Sequence, residues 1–192
     1  MDRNTKMKIL AFAASSSRQS INKQLLTYAA RLLHDGLVDG AAVEIIDLND
    51  YEMPIFSIDR ENESGIPLQA HDFFAKIGDA DAILISFAEH NGQYTAAYKN
   101  IFDWTSRINK RIYQDKPAVL FSASAGPGGG GNVLRTAVAS GRFFGYDVKA
   151  SLSIPSFHQN FDAASLALSN ADLDEAFRGA LTALTRAEAV PA

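Results

Sequence analysis

The chain has 192 residues, 47% of them hydrophobic and 21% charged, an ordinary globular composition long enough to bury one substantial core. A formal net charge of -4 without a long basic block argues against nucleic acid or an anionic membrane as partner and leaves a small molecule as the expected one. There is no cysteine, which removes disulfides, thiolate metal sites and thiol nucleophiles together.

The start, Met1 to Lys6, is polar, and the apolar run that follows is too short for a signal segment or a membrane span. The expectation is a cytoplasmic protein. Residues 8–13 are near-continuously apolar, as a strand covered on both faces requires, and Ser15 to Ser20 supply turn and helix-cap chemistry after it. From Ile21 the period changes: Ile21, Leu25, Ala29, Leu32 and Leu33 recur at helical spacing until Gly36.

The same unit then recurs. Residues 43–46, 83–87, 118–122 and 148–154 read as further strands, the last with the alternation of an edge. Helical patterns fall at about 69–77, 95–108 and 132–144, and a helical stretch marked by Leu173, Phe177, Leu181 and Leu184 precedes a frayed tail. Residues 47–67 form a long connection with two prolines and many charges, which predicts a lid or an interface element. Alternating strands and helices predict a single α/β domain over residues 1–192, a three-layer doubly wound fold with a five-stranded parallel sheet in order 2-1-3-4-5.

Three loops that follow strands carry the chemistry. The first contains Ser15, Ser17, Arg18, Ser20, Ile21 and Asn22. A helix N-terminus with several short donors and one cation suits a phosphate, whereas a cap alone needs one serine. The second is Glu89-His90-Asn91-Gly92, which on its own reads equally as a polar turn. The third runs through Ser124, Ala125 and Gly126 to Gly128, Gly129 and Gly130; glycines let a backbone approach a flat ring, although a glycine run is also what a surface loop carries. In a 2-1-3-4-5 sheet these loops share the crevice at the switch point, where they would cradle one phosphate-bearing aromatic ligand.

In order and spacing, Ser15-x-Ser17-Arg18-x-Ser20-Ile21-Asn22, Asp47-Leu48-x-x-Tyr51-x-x-Pro54-Ile55-Phe56, Glu89-x-Asn91-Gly92 with Lys99-Asn100-x-x-Asp103-Trp104, and the Ser124 to Gly131 loop resemble the NADPH-dependent FMN reductase family over about residues 7–155. The resemblance implies a flavodoxin-like fold, FMN as cofactor and NADPH or NADH as co-substrate. It implies that Ser15, Ser17, Ser20 and Asn22 serve the FMN phosphate. Glu89, His90, Asn91 and Gly92 would run along the ribityl chain and ring, with Ser124, Ala125, Gly126 and Gly128 to Gly130 on the ring's other edge. It also implies a homodimer or homotetramer, with the region of Tyr51 to Pro67 and the helix around Asp103 and Trp104 near subunit contacts. The chain departs from the family pattern in having one residue, Gln19, between Arg18 and Ser20, in Ala88 and His90 where the pattern has Pro and Tyr, and in Pro127 within the glycine run.

The expected activity is hydride transfer from the nicotinamide through the flavin to a small-molecule acceptor, a quinone, flavin, azo compound or metal ion, with ping-pong kinetics and no catalytic side chain or metal. Two other readings of the same architecture are a non-enzymatic electron carrier and a flavin-binding regulatory module. The first normally has a stronger acidic charge and a threonine-rich phosphate loop. A phospho-acceptor regulator would need a strand-end acidic pair, which this chain lacks, and would have no use for the glycine loop.

Overall fold

The computed structural model describes residues 6–185. The main sheet is built from β1 (Met7–Ala14), β2 (Ala41–Ile46), β3 (Ala82–Phe87), β4 (Lys116–Ala123) and β5 (Tyr146–Ile154), all parallel and in the order β2-β1-β3-β4-β5. This is the predicted order. Every residue of β3 is buried, as are the last six of β1 and of β4, which accounts for their unbroken apolar runs: central parallel strands are covered on both faces.

Helices α1 (Ile21–Leu32), α2 (Ile58–Ser64), α3 (Leu68–Asp79), α4 (Ala96–Ile108), α5 (Gly131–Phe144) and α6 (Ala171–Thr182) complete the layers. Alternate side chains of the strands feed two cores. Phe12, Ile83, Ile85 and Leu120 pack with Phe73, Tyr98, Trp104 and Leu134 of α3, α4 and α5. Ile9, Ala11, Leu84 and Phe121 pack on the opposite face with Leu25, Ala29, Phe177 and Leu181 of α1 and α6. The amphipathic stripes read from the sequence are these two contact surfaces. Among the described residues no helix is long and apolar enough to cross a membrane.

Several local features differ from the sequence reading. Strand β5 begins at Tyr146 rather than at residue 148, and its register shifts by one residue opposite Ala118 and Val119. Such a bulge suits an edge strand. Residues 89–94 form a two-stranded antiparallel hairpin, and a second small hairpin pairs Phe161–Asp162 with Ala167–Leu168. The connection after β2 is not an open lid. It holds a 3-10 turn (Leu48–Tyr51) and α2, and α4 fastens it from one stripe: Asn100 binds Phe56 N at 2.8 Å and Met53 O at 3.0 Å, and Trp104 Nε1 donates to Pro54 O at 2.7 Å. One turn further on, Arg107 pairs with Glu61 and lies over the Phe56 ring. The interface half of the expectation for this connection is compatible with that fastening. The frayed tail and the polar start fall mostly on residues 186–192 and 1–5, which lie outside the described residues.

Candidate functional site

Polar side chains are costly to bury, so where they are buried is informative. The buried polar side chains of the described residues are Ser15, Ser20, Asn22, Ser86, Thr95, Thr105 and Ser122. All but Thr105 lie at or beside the C-terminal ends of β1, β3 and β4, the edge at which the three marked loops emerge. Thr105 is accounted for by its bond to the Ile101 carbonyl within α4.

Asn22 joins that edge together. Its side-chain Nδ2 donates to Ala123 O at 3.2 Å, and its Oδ1 accepts from Ser86 Oγ at 2.8 Å and from Ala123 N at 3.0 Å. One amide side chain thus ties α1 to the ends of β3 and β4. The sequence reading made Asn22 a phosphate donor; with its amide engaged inside the protein and the residue 2% exposed, its role in this structure is to place the loop. Ser20 caps α1 by accepting from Lys23 N at 3.3 Å, and Ser15 Oγ accepts from Ser17 N at 3.2 Å. Both hydroxyls keep their hydrogen for an outside acceptor. Ser17 and Arg18 are exposed on the loop surface, and Ile21 is half-buried at the first helical position.

The second loop is the hairpin. Glu89 pairs with Tyr94 and His90 with Gln93, leaving Asn91 and Gly92 as a two-residue turn with φ of 52° and 78°. Two consecutive left-handed residues define the type I′ turn that Asn-Gly favours. The Asn-Gly pair was the signal for a hairpin. Thr95, which follows it, caps α4 and donates from Oγ1 to Ala14 O at 3.0 Å, fastening the hairpin to the first loop. Sequence reasoning placed Thr95 only as a helix start.

Glu89 also turns out to be engaged within the protein. Its Oε2 accepts from Val133 N at 2.9 Å and its Oε1 from Asn132 Nδ2 at 3.4 Å. Helix α5 begins after Gly130, which has no side chain to cap it, so the Glu89 carboxylate takes that place from another loop. His90 and Asn91 remain exposed.

The glycine loop divides into two parts. Gly129, at φ 60°, is buried, and a Cβ there would sit 2.2 Å from Ser153 Oγ and 2.9 Å from Pro155 N. Its carbonyl accepts from Ser122 Oγ at 2.8 Å and Ser153 Oγ at 2.9 Å, and its N–H donates to Gly126 O. Gly130, at φ 76°, rests on Ser122. These two glycines let the loop sink onto β4 and β5, in contrast to the ring-facing role read from sequence. Gly126 and Gly128 are exposed, and a Cβ on either would meet nothing within 4 Å. Ala125 is exposed beside them, while Ser124 is half-buried with its Oγ on Gly126 O.

The three loops therefore meet at one edge, cross-linked by Asn22, Thr95 and Glu89. The edge offers a helix N-terminus with its positive dipole end, two free serine hydroxyls, one exposed arginine and an open glycine surface, which is the donor set for a phosphate joined to a flat ring.

Comparison with known proteins gives the family and the fold. The family described as NADPH-dependent FMN reductase matches residues 7–159. An NADPH:quinone oxidoreductase of Arabidopsis thaliana is 33% identical over 124 residues, 65% of this chain and 61% of that protein. An NAD(P)H-dependent FMN reductase of Pseudomonas aeruginosa is 30% identical over 120 residues, 62% of this chain and 61% of that protein. The chain thus matches about three-fifths of the length of these curated relatives. Among solved structures, the flavoenzyme NAD(P)H:(acceptor) oxidoreductase FerB of Paracoccus denitrificans superposes with a TM-score of 0.70 at 18% identity, covering 93% of this chain and 94% of that one, a likeness of fold. By its matched sequence and its five-stranded parallel sheet, the chain belongs to the NADPH-dependent FMN reductase family.

Proposed function

We propose that this protein binds FMN across the three loops, takes reducing equivalents from NAD(P)H and passes them to a quinone, flavin, azo compound or metal ion by a ping-pong route. The observation that carries the reading is the cross-linking of the loops: Asn22, Thr95 and Glu89 hold into one nest segments that are far apart in the chain. Ser15, Ser20 and the N-terminus of α1 hold the phosphate, and Arg18 offsets its charge. The exposed backbone of Gly126 and Gly128 forms one ring edge, and the Asn91-Gly92 turn forms the other. Bound flavin supplies the hydride acceptor and donor, so the protein's work is orientation and exclusion of water, and no acid-base triad is required.

Ile55, Ile58 and Leu68 are 75%, 54% and 70% exposed on and just after the connection that α4 holds rigid, which supports a homodimer or homotetramer through this face. A cytoplasmic setting follows from the co-substrate, which is replenished inside the cell.

The experiment is to titrate the purified protein with FMN and follow flavin absorbance, then add NAD(P)H with excess quinone. Bound flavin bleached by NAD(P)H, with parallel initial-rate lines, is the expected result. Flavin that binds but supports almost no NAD(P)H oxidation marks an electron carrier, and intersecting lines overturn the ping-pong route.

A further inference from the structure

Strand β5 ends at Ile154, and the chain leaving it fastens the exposed half of the glycine loop. Ser124 N donates to Ile154 O at 3.4 Å, Ser156 N to Gly126 O at 2.9 Å and Phe157 N to Ser124 O at 3.0 Å. Gly129 is held by the Ser122 and Ser153 hydroxyls, whereas residues 124–126 take their ties from outside the loop from this backbone. The fastening segment is itself preformed. Phe157 is buried and stacks on Phe161 at 4.6 Å, Gln159 N donates to Ser156 O at 2.8 Å, and Asn160 Nδ2 donates to Pro155 O at 2.9 Å. Asn160 also accepts Ser169 N on its carbonyl at 2.9 Å and Asn170 Nδ2 on its Oδ1 at 3.3 Å, which ties the segment to the residue that caps α6.

Ser156 does this at φ 45° and ψ 50°, the left-handed region that disfavours a residue with a Cβ. Its hydroxyl makes no hydrogen bond among the described residues, so what the position contributes is its backbone. A trans peptide sets its C=O and its N–H on opposite sides. With the Ser124 carbonyl drawn to Phe157 N, the Ala125 N–H faces the open side of the loop. The peptide after Gly126 has a carbonyl and, because Pro127 follows, no N–H. Left unheld, that peptide would offer the open side only an acceptor. Ser156 draws the acceptor inward, where Gly129 N at 3.3 Å and Ser124 Oγ at 3.2 Å join it. The N–H groups of Ala125, Gly126 and Gly128 make no hydrogen bond among the described residues, so three donors stay free.

We propose that Ser156 is a positioning residue for the flavin: by drawing in the Gly126 carbonyl and, with Phe157, the Ser124 carbonyl, it removes two acceptors from the open side of the loop and leaves N–H groups that favour the reduced ring over the oxidised one. The inference rests on the functional reading above, in which this loop borders the ring. Two-electron reduction makes a flavin ring more electron-rich, so a fixed donor beside it holds the reduced form more tightly, and an outward carbonyl does the opposite. The helical turn Phe157–Asn160, beyond the last strand of the sheet, thereby helps to set the driving force for passing electrons on.

The test compares Ser156→Gly with Ser156→Val by reductive titration of the FMN-loaded protein against a reference dye, read by flavin absorbance, alongside thermal unfolding by circular dichroism. Glycine adopts the left-handed conformation and keeps the N–H, so the reduction potential should match that of the unaltered protein. Valine is driven out of that conformation, and reduced FMN should be held about tenfold less tightly relative to oxidised FMN, a potential about 30 mV lower. Should Ser156→Val fail to fold, Asn160→Ala, which frees the Pro155 carbonyl, is expected to lower the potential in the same direction. An unshifted potential in the folded variant, or an equal shift in Ser156→Gly, overturns the proposal even where Tm falls, because a purely structural loss weakens both redox forms alike. Absence of FMN binding by the unaltered protein overturns the functional reading instead, so the two failures are told apart.

Discussion

Glu89 provides the sharpest test of how the site is held. Its carboxylate meets the third amide of α5, Val133 N, at 2.9 Å, the donor that an N-cap side chain would satisfy, and Gly130 at the cap has none to offer. Removing a cap costs about 1 kcal/mol, within a range of about 0.5–2, and losing a negative charge at a helix N-terminus costs about 0.3–1 more. Glu89→Ala should therefore destabilise by about 2 kcal/mol, which for a chain of this length lowers Tm by about 4–8 °C. Glu89→Gln keeps an acceptor and loses only the charge, so about 0.5 kcal/mol is expected. Urea unfolding followed by circular dichroism measures both. The site should respond as well, because the hairpin loses its tie to the glycine loop: FMN affinity should fall in Glu89→Ala more than in Glu89→Gln. An alanine variant as stable as the unaltered protein would refute the capping role.

The glycine loop predicts a split. Gly129→Ala forces a Cβ onto Ser153 Oγ at a φ of 60° and should cost more than the roughly 1–2 kcal/mol of a left-handed alanine, whereas Gly126→Ala should leave thermal stability nearly unchanged; equal Tm losses would contradict the division of the loop. Tyr98 and Tyr113 share a buried hydroxyl–hydroxyl bond of 2.5 Å, and burial pushes both phenols well above their usual pKa, so they stay neutral through the physiological range. Each single Tyr→Phe change should cost about 1–3 kcal/mol, and the double change less than the sum, a coupling that a denaturation double-mutant cycle reads directly. The Lys23 ammonium, followed by the Asn49 amide, holds the Asp47 carboxyl below its usual range. A lowered folded pKa stabilises above the unfolded value and loses that contribution as pH falls through the folded one, so acid-side stability should drop below about pH 4 and the drop should shrink in Asp47→Asn. The pair is partly exposed, so the effect should be under about 1 kcal/mol and weaken with salt; an unchanged acid limb in Asp47→Asn would count against it.

Periodicity is local, and what it encodes was readable from the chain. The unbroken apolar runs of β1, β3 and β4, the helical stripes of α1 and α4, and the Asn-Gly pair each specify their own backbone over a few residues, because burial on both faces, on one stripe or at a left-handed turn restricts residue type directly. Together they predict a doubly wound parallel sheet; right-handed connections alone leave its strand order open, and the expected order 2-1-3-4-5, which sets the edge at which the three loops meet, is borne out by the tertiary structure.

Which way each side chain of those loops faces was decided only by tertiary structure. Asn22 meets Ala123 across 101 positions of sequence and Glu89 meets Val133 across 44, and nothing in the residues beside them names those partners. The same holds for the glycines: four stand in a row in the sequence, yet packing against Ser122 and Ser153 turns Gly129 and Gly130 inward while Gly128 faces open space. Composition thus set the loops' capacity to bind, and close packing of distant strands and helices set which atoms remain free to do so.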